Sequence, residues 1–244
     1  MSRSNPRTQN PCQKFIDFKS DKGYFSYYDK ETEKEVVIPT PFYFIVLDEL
    51  STISGYNKKH DCGIYSNEVH RLKDEILRVK TFKGGESITG LYADVRDSII
   101  ALGGKFTKSV YAMLIIPEKE PELVNFKFRG AAFSAWIEKK MNTDNCTVGV
   151  VDFKEEKNGN TIYNVPVLHA YKLDPALNQL ATEMDVILQE YLKEYKSQQP
   201  EKEIIKAEAE VIESNGKYIS SSQKDNLINK SRLTKEEEPD DLPF

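Results

Sequence analysis

The sequence predicts a mainly β domain, a small β-barrel with a few helices, followed by a disordered acidic tail. Three observations support this. Between about residues 15 and 172, short segments rich in Val, Ile, Tyr and Phe recur between turns. Helix-like periodicity is confined to a few stretches. After Lys196 the composition becomes charged and polar with few aromatic residues, which is typical of a disordered chain.

Eight segments are predicted strands because β-branched and aromatic residues dominate them. They are residues 24–29, 34–38, 42–48, 76–83, 108–116, 123–129, 147–154 and 161–172. Two of them alternate between apolar and basic side chains, so each should have one buried and one solvated face. In one strand Phe126 faces opposite to Lys127. In the other, Val79 faces opposite to Arg78 and Lys80.

Three segments are predicted helices: residues 93–102, 131–141 and 175–197. The first ends at Gly103-Gly104, a pair suited to a helix C-cap. The third begins with Pro175, which is favoured in a first turn. Asn158-Gly159-Asn160 predicts a hairpin turn between the last two strands.

Many short strands with one helix among them suit the oligonucleotide/oligosaccharide-binding (OB) fold, a five-stranded barrel. We therefore predict three regions. Residues 1–13 form a flexible leader, and residues 14–197 form an OB-like domain that ends in a helix. Residues 198–244 form a disordered linker and an acidic tip.

The net charge of −5 is concentrated at the C-terminus. Residues 234–244 carry one lysine and five acids, which leaves 33 basic and 34 acidic side chains for the rest of the chain. The body is therefore nearly neutral, which neither excludes a local basic groove nor indicates one.

The composition also suggests a location for the protein. No apolar run approaches the roughly 20 residues of a membrane span, and the start of the chain has no apolar segment of a secretory signal. Three cysteines, an odd and sparse count, suit free thiols in a reducing cytosol. We expect a cytoplasmic protein that does not associate with membranes, in the host cytoplasm if a phage encodes it.

The last nine residues, EEEPDDLPF, form a short linear peptide. Phe244 is an apolar anchor that also bears the terminal carboxylate. Leu242 and Pro243 add an apolar contact and stiffen the backbone. Asp240 and Asp241 continue an acidic run that favours a basic surface. A mobile peptide of this kind suits a shallow pocket rimmed by Arg or Lys.

This tip resembles the C-terminal tip of bacterial single-stranded DNA-binding proteins and their phage counterparts. The resemblance implies that the tip recruits replication and repair enzymes and competes with DNA for the protein's own groove. A second resemblance covers most of residues 41–140. Blocks such as GLYADVRDSI (90–99) and FRGAAFSAWIEKK (128–140) are similar to phage proteins described as single-stranded DNA binders.

Single-strand binding needs cations along the backbone path and aromatic faces for the bases. Basic and aromatic residues interleave at 22–28, 78–83, 105–111 and 126–129. The candidate DNA-binding residues are Tyr24, Tyr28, Arg78, Lys80, Phe82, Lys83, Lys105, Lys108, Lys127 and Arg129. Strand aromatics more often belong to the core, and we expect this of Phe126 and Phe128, which face opposite to Lys127.

Other chemistry has weaker support. His60, Cys62 and His70 lack the paired spacing of a zinc site, so no metal or other cofactor is predicted. Lys83-Gly84-Gly85 and Gly103-Gly104-Lys105 do not match a phosphate loop and are predicted turns. Asp152, Glu155, Glu156 and Lys157 would be the acidic cluster of a nuclease, but a solvated hairpin explains them. No catalytic residue is predicted.

The sequence therefore predicts a non-enzymatic protein of phage DNA replication, recombination and repair. It coats single-stranded DNA and recruits a primase, helicase, polymerase or nuclease through residues 240–244. A homo-oligomer is compatible with the sequence. The alternatives are a strand-annealing or recombination protein and a nuclease that carries the same kind of tip.

Overall fold

A computed structural model describes residues 9–139 and 146–197. They form eleven strands and three helices. The strands are β1 (Lys14–Lys19), β2 (Tyr24–Asp29), β3 (Lys34–Val37), β4 (Phe42–Asn57), β5 (Cys62–Ser66), β6 (Leu77–Thr81), β7 (Ser87–Gly90), β8 (Gly104–Ile115), β9 (Glu122–Phe128), β10 (Cys146–Asn158) and β11 (Thr161–Lys172). The helices are α1 (Tyr92–Leu102), α2 (Ala131–Lys139) and α3 (Pro175–Ser197).

The prediction of a mainly β chain with a few helices is confirmed. All three predicted helices are present, and Gly103 caps α1 with a φ of 100°. The predicted turn at Gly159 joins β10 to β11. Three strands were missed, namely β1, β5 and β7. Strand β7, Ser-Ile-Thr-Gly, has a single aliphatic side chain, and β5 begins Cys-Gly, which lacks β-forming side chains.

The strands form one sheet in the order β3-β2-β1-β9-β8-β4-β5-β6-β7, and β10 joins β4 and β11 outside this path. Only the β1–β9 pair is parallel among the described strands. The sheet is not closed into a barrel, so the predicted five-stranded closed barrel is corrected to a larger open sheet. The ends of the path, β3 and β7, are not paired to each other.

Strand β4 determines this architecture because it is long enough to belong to two groups of strands. One of its edges pairs with β8 along most of its length, with a bulge between Val46 and Asp48. Its other edge pairs first with β10 near Phe44 and then with β5 from Ser54 onward. The sheet therefore divides at β4 into two arms, each with its own core.

A phenylalanine core fills the first arm. Phe25, Phe42, Phe44, Phe126 and Phe128 are at most 1% exposed and contact one another in edge-on, tilted or stacked arrangements. Helix α2 covers this core, and its Trp136 packs on the ring of Phe44 in β4 and the ring of Phe128 in β9. Burial of each such ring contributes about 1.5–3 kcal/mol. The prediction that Phe126 and Phe128 belong to the core is confirmed.

A smaller aliphatic core lies in the second arm. Ile53, Ile64, Leu77, Val79 and Ile99 are buried there beneath α1. Because residues directly opposite each other on paired strands share a face, the two cores lie on one face of the sheet. We call this the inner face, and the other, which carries Tyr65 and Lys80, the outer face.

Helix α3 covers the middle of the outer face. Asp174 begins the helix, because its carboxylate accepts hydrogen bonds from the amides of Ala176 and Leu177. Leu188 and Leu192 then pack on Leu50 and neighbouring side chains. Tyr65, Lys80 and Phe82 lie on the part of the outer face that α3 leaves exposed.

The described residues up to Leu192 belong to one compact unit, and Lys193–Ser197, the last turn of α3, belong to a second. None of the helices in the described part of the chain combines the length and hydropathy needed to span a bilayer.

Candidate nucleic-acid interface

The second arm presents a polar and aromatic outer face. Tyr65 on β5 lies directly opposite Lys80 on β6 and Ser54 on β4. Ser54 in turn lies opposite Lys105 on β8. Strand alternation places Arg78 beside Lys80, while Leu77 and Val79 point inward and are 0% exposed. The predicted two-faced character of this strand is confirmed.

Three aromatic side chains stand on this surface. Phe82, immediately after β6, is 71% exposed, although a phenyl ring normally seeks the core. Its ring centroid lies 4.6 Å from that of Tyr65, which is itself 41% exposed. Tyr56, on the same face of β4, is 52% exposed. These rings offer flat apolar faces to solvent.

Basic side chains surround the rings. Lys80, Lys83 and Lys105 are exposed, and Arg78 is half-buried. Lys80 and Lys105 form no salt bridge with any residue that the structure describes. Their charge is therefore available to a ligand.

Arg129 connects this surface to the first arm. Its guanidinium donates to the Ser54 hydroxyl at 3.4 Å and pairs with Asp17 of β1 at 3.3 Å. Beyond it, Phe15 on β1 and Tyr28 on β2 are 41% and 61% exposed on the same face. The outer face thus carries exposed aromatic residues in both arms, with a cation between them.

Lys127 lies on this face but is engaged in a buried network. Its ammonium donates to Glu68 at 2.6 Å and to the Ser109 hydroxyl at 2.9 Å. Glu68 also accepts from Ser109 and Tyr111. Burial alone would raise the pKa of Glu68, but the charge of Lys127 and these hydrogen bonds outweigh it, so that pKa is lowered.

Two further candidates are placed differently. Lys108 lies on the inner side of β8, directly opposite Phe128, and pairs with Glu49 at 3.1 Å. It is thus on the face opposite to Lys105. Tyr24 is half-buried on the outer face of β2, with the Lys22 ammonium 5.7 Å from its ring centroid.

The predicted partner-binding residues lie outside the described residues. They are Asp240, Asp241, Leu242, Pro243 and Phe244.

His60, Cys62 and His70, the possible zinc ligands, do not lie together. The His60 ring pairs with Glu86 at 3.0 Å, and the His70 ring lies 3.8 Å from Asp48. The Cys62 thiol donates to the carbonyl oxygen of Lys83. Within residues 9–139 and 146–197, no group of three or more His, Cys, Asp or Glu side chains has the geometry to hold a metal ion.

The acidic residues that a nuclease would use lie along the β10–β11 hairpin. Asp152 accepts a hydrogen bond from the adjacent amide of Phe153, and Glu156 pairs with Lys154 at 3.1 Å. Asp152 and Glu155 are exposed. These contacts are those of a solvated hairpin.

Several residues of this surface were not identified from the sequence. Tyr56 and Tyr65 occupy strand segments that were missed or underestimated, and Phe15 lies on the missed β1. The partner of Lys127, Glu68, comes from the connection between β5 and β6. No short-range pattern links it to β9, 59 residues away.

Comparisons with protein-family models, with curated proteins and with solved structures returned no significant match to this chain.

Proposed function

We propose that this protein binds single-stranded DNA across the outer face of its sheet. One observation carries the proposal. Five exposed aromatic side chains occupy that face together with four basic ones: Phe15, Tyr28, Tyr56, Tyr65, Phe82, Arg78, Lys80, Lys105 and Arg129. Stacking on such rings contributes about 1–3 kcal/mol per base, and the cations attract the phosphates.

The size of the surface supports a ligand of several nucleotides. From β6 to β2 the sheet order includes six spacings between strands. At roughly 4.8 Å each, this is about 29 Å along the sheet. A near-neutral chain can still bind a polyanion here because Arg78, Lys80, Lys105 and Arg129 lie on the same face of the sheet.

The OB-type relationship is part of this proposal. It is supported by the way the first arm curls around its phenylalanine core. Phe153 of β10 stacks on Phe18 of β1, with centroids 5.7 Å apart. The main-chain N–H of Asn164 donates to the Ser20 carbonyl at 2.7 Å, which brings β11 near the β1–β2 turn. OB folds likewise use a sheet face to bind single strands.

The C-terminal tip extends the proposal to partners. Its likeness to the tips of single-stranded DNA-binding proteins supports recruitment of replication and recombination enzymes through residues 240–244. In this role the protein does no covalent chemistry. It coats exposed strands and presents Phe244 to its partners.

Titration of labelled oligonucleotides tests the proposal. Fluorescence anisotropy should give tight binding to single-stranded DNA and weak binding to the matching duplex, because paired bases cannot stack on the rings. Affinity should fall with salt, with a log–log slope of about −0.7 per phosphate contact. Equal affinity for both DNAs would refute the proposal. Degradation of DNA that requires a divalent metal would favour the nuclease, and pairing of complementary strands would favour the annealing protein.

A further inference from the structure

Two hairpin turns are interlocked next to Phe82. One joins β4 to β5 and contains Lys59 and His60, and the other joins β6 to β7 and ends at Glu86. The Glu86 carboxylate accepts from Lys59 at 2.9 Å and contacts the His60 ring at 3.0 Å. Its second oxygen accepts from the Asn57 amide at 3.0 Å. One side chain thus connects the second turn to two residues of the first and to Asn57, the last residue of β4.

Two glycines make the close contact of these turns possible. The Phe82 ring lies directly over Gly63, where an added Cβ would approach the ring carbons to 3.0 Å. The His60 ring lies against Gly84, where a Cβ would approach to 2.6 Å. Gly84 also has a φ of 84°, a conformation that disfavours other residues. His60 of the first turn and Phe82 of the second therefore each place a ring against a glycine of the opposite hairpin.

Main-chain hydrogen bonds complete the arrangement. The Phe82 amide donates to the Gly63 carbonyl at 3.1 Å, and the Thr81 amide donates to the Glu86 carbonyl at 3.1 Å. The Phe82 ring is consequently restrained from beneath by Gly63 and from one side by Tyr65, and the Glu86 main chain holds the neighbouring Thr81.

An exposed aromatic side chain normally samples several rotamers, and ordering it on binding weakens affinity. We propose that Glu86 is a positioning residue that holds Phe82 and Tyr65 ready to stack on a base of single-stranded DNA. His60, Gly63 and Gly84 complete the arrangement. This inference rests on the proposed function and deepens it. It gives a role to an acidic residue whose negative charge by itself would weaken DNA binding.

The direction in which one substitution changes DNA affinity distinguishes a positioning role from a purely electrostatic one. Glu86→Ala removes a negative charge beside basic residues, so charge alone predicts tighter binding of single-stranded DNA. A positioning role predicts that the variant binds single-stranded DNA about fivefold more weakly than the parent. This is the lower end of the effect of losing one base stack. Glu86→Gln loses the charge but keeps an oxygen acceptor, and should bind at least as well as the parent. Glu156→Ala is the control, because it also removes a lysine-paired acid.

A fluorescent reporter detects the stacking itself. Phe82→Trp places an indole at the platform, whereas the chain's one natural tryptophan, Trp136, is buried and only 6% exposed. Single-stranded DNA should quench the new emission in the otherwise unchanged chain. In the Phe82→Trp, Glu86→Ala double variant, quenching at saturating DNA should fall. His60→Ala serves as a second variant in case Glu86→Ala unfolds, as judged by circular dichroism and melting temperature.

The outcomes distinguish the two proposals. If the parent chain and Phe82→Trp fail to bind single-stranded DNA, the proposed function falls and this inference falls with it. Suppose that both chains bind and that DNA quenches the tryptophan emission. If Glu86→Ala and His60→Ala then leave the DNA affinity and the quenching at saturating DNA unchanged or increased, only the positioning role is overturned. Weaker affinity and reduced quench in the folded variants, with Glu156→Ala like the parent, support it.

Discussion

Arg78 and Lys80 share the outer face of β6, so their replacement should test the DNA interface without disturbing the core. We expect Arg78→Ala with Lys80→Ala to weaken single-strand binding. If both contact phosphates, the log–log salt slope should become shallower by about 1.4. Because the Lys80 side chain is exposed, its replacement should alter the free energy of unfolding by no more than about 0.5 kcal/mol. Any further loss in the double variant then measures the contribution of the half-buried Arg78. Anisotropy titrations at several salt concentrations and thermal melts measure the two effects.

The matched control is Lys154→Ala with Lys157→Ala, which removes the same charge from the exposed β10 hairpin. Its salt slope should equal that of the parent. If the Arg78, Lys80 pair melts normally and binds as tightly as the control, the interface is on another surface.

Lys127 should behave as a structural residue, because it neutralises Glu68, whose side chain is only 12% exposed. Lys127→Met would leave a buried carboxylate without its partner and should lower the free energy of unfolding by about 3–5 kcal/mol. Adding Glu68→Gln should restore part of that loss. Urea unfolding monitored by circular dichroism gives these values.

Lys105→Met is the comparison for this prediction, since it removes an exposed lysine from the same face. Its effect on unfolding should be within about 0.5 kcal/mol. A Lys127→Met chain as stable as Lys105→Met would mean that the Glu68 pair contributes nothing to the fold.

At the scale of elements, the contacts between the β4–β5 and β6–β7 turns should become less stabilising at low pH. Hydrogen bonds from Lys59 and from the His60 ring lower the pKa of Glu86 from its ordinary 4.5 to about 2. A group whose pKa is lowered by folding stabilises the fold above its unfolded pKa and loses that effect as the pH falls to the folded value. The stabilisation by Glu86 should thus be complete above about pH 4.5 and disappear toward pH 2.

The measurement is the melting temperature of the parent minus that of Glu86→Gln, followed from pH 6 downward. This difference should be constant above about pH 4.5 and should shrink below it. Subtraction removes the effect of the other carboxylates. A difference that does not change with pH would show that folding does not lower the pKa of Glu86 and that its ionisation adds no stability.

At the scale of the whole molecule, the tip and the sheet should have separable roles. Removing Glu236 to Phe244 deletes five acids and the anchor together. Single-strand binding should tighten, because the acidic tether no longer competes with DNA, and partner recruitment should be lost. This competition should weaken as salt screens it. DNA titrations at low and moderate salt, with pull-downs of primase, helicase and polymerase, measure both effects.

Phe244→Ala is the matched variant, since it keeps every charge and removes only the apolar anchor. It should cost at least about 2 kcal/mol of partner affinity, the usual scale for a hot-spot aromatic. DNA affinity should change little. An unchanged set of partners would reduce the tip to a solubilising segment.

The sequence by itself determined the local structure. Alternation of apolar and basic residues identified both faces of β6 and β9, and placed Phe126 and Phe128 in the core. Helix periodicity and capping residues located α1, α2 and α3, and Gly159 marked the last hairpin. These features depend on residues a few positions apart, which the sequence displays directly.

The tertiary structure decided which residues meet. The 16-residue β4 pairs with three other strands, which gives a divided open sheet in place of a closed barrel. Pairing between distant strands determined that Lys127 faces Glu68 and that Phe82 rests on Gly63. Which of the predicted cations remain available to a ligand depends on partners far along the chain. Strand order and long-range charge pairing follow from packing of the whole sheet, and no local pattern in the sequence encodes them.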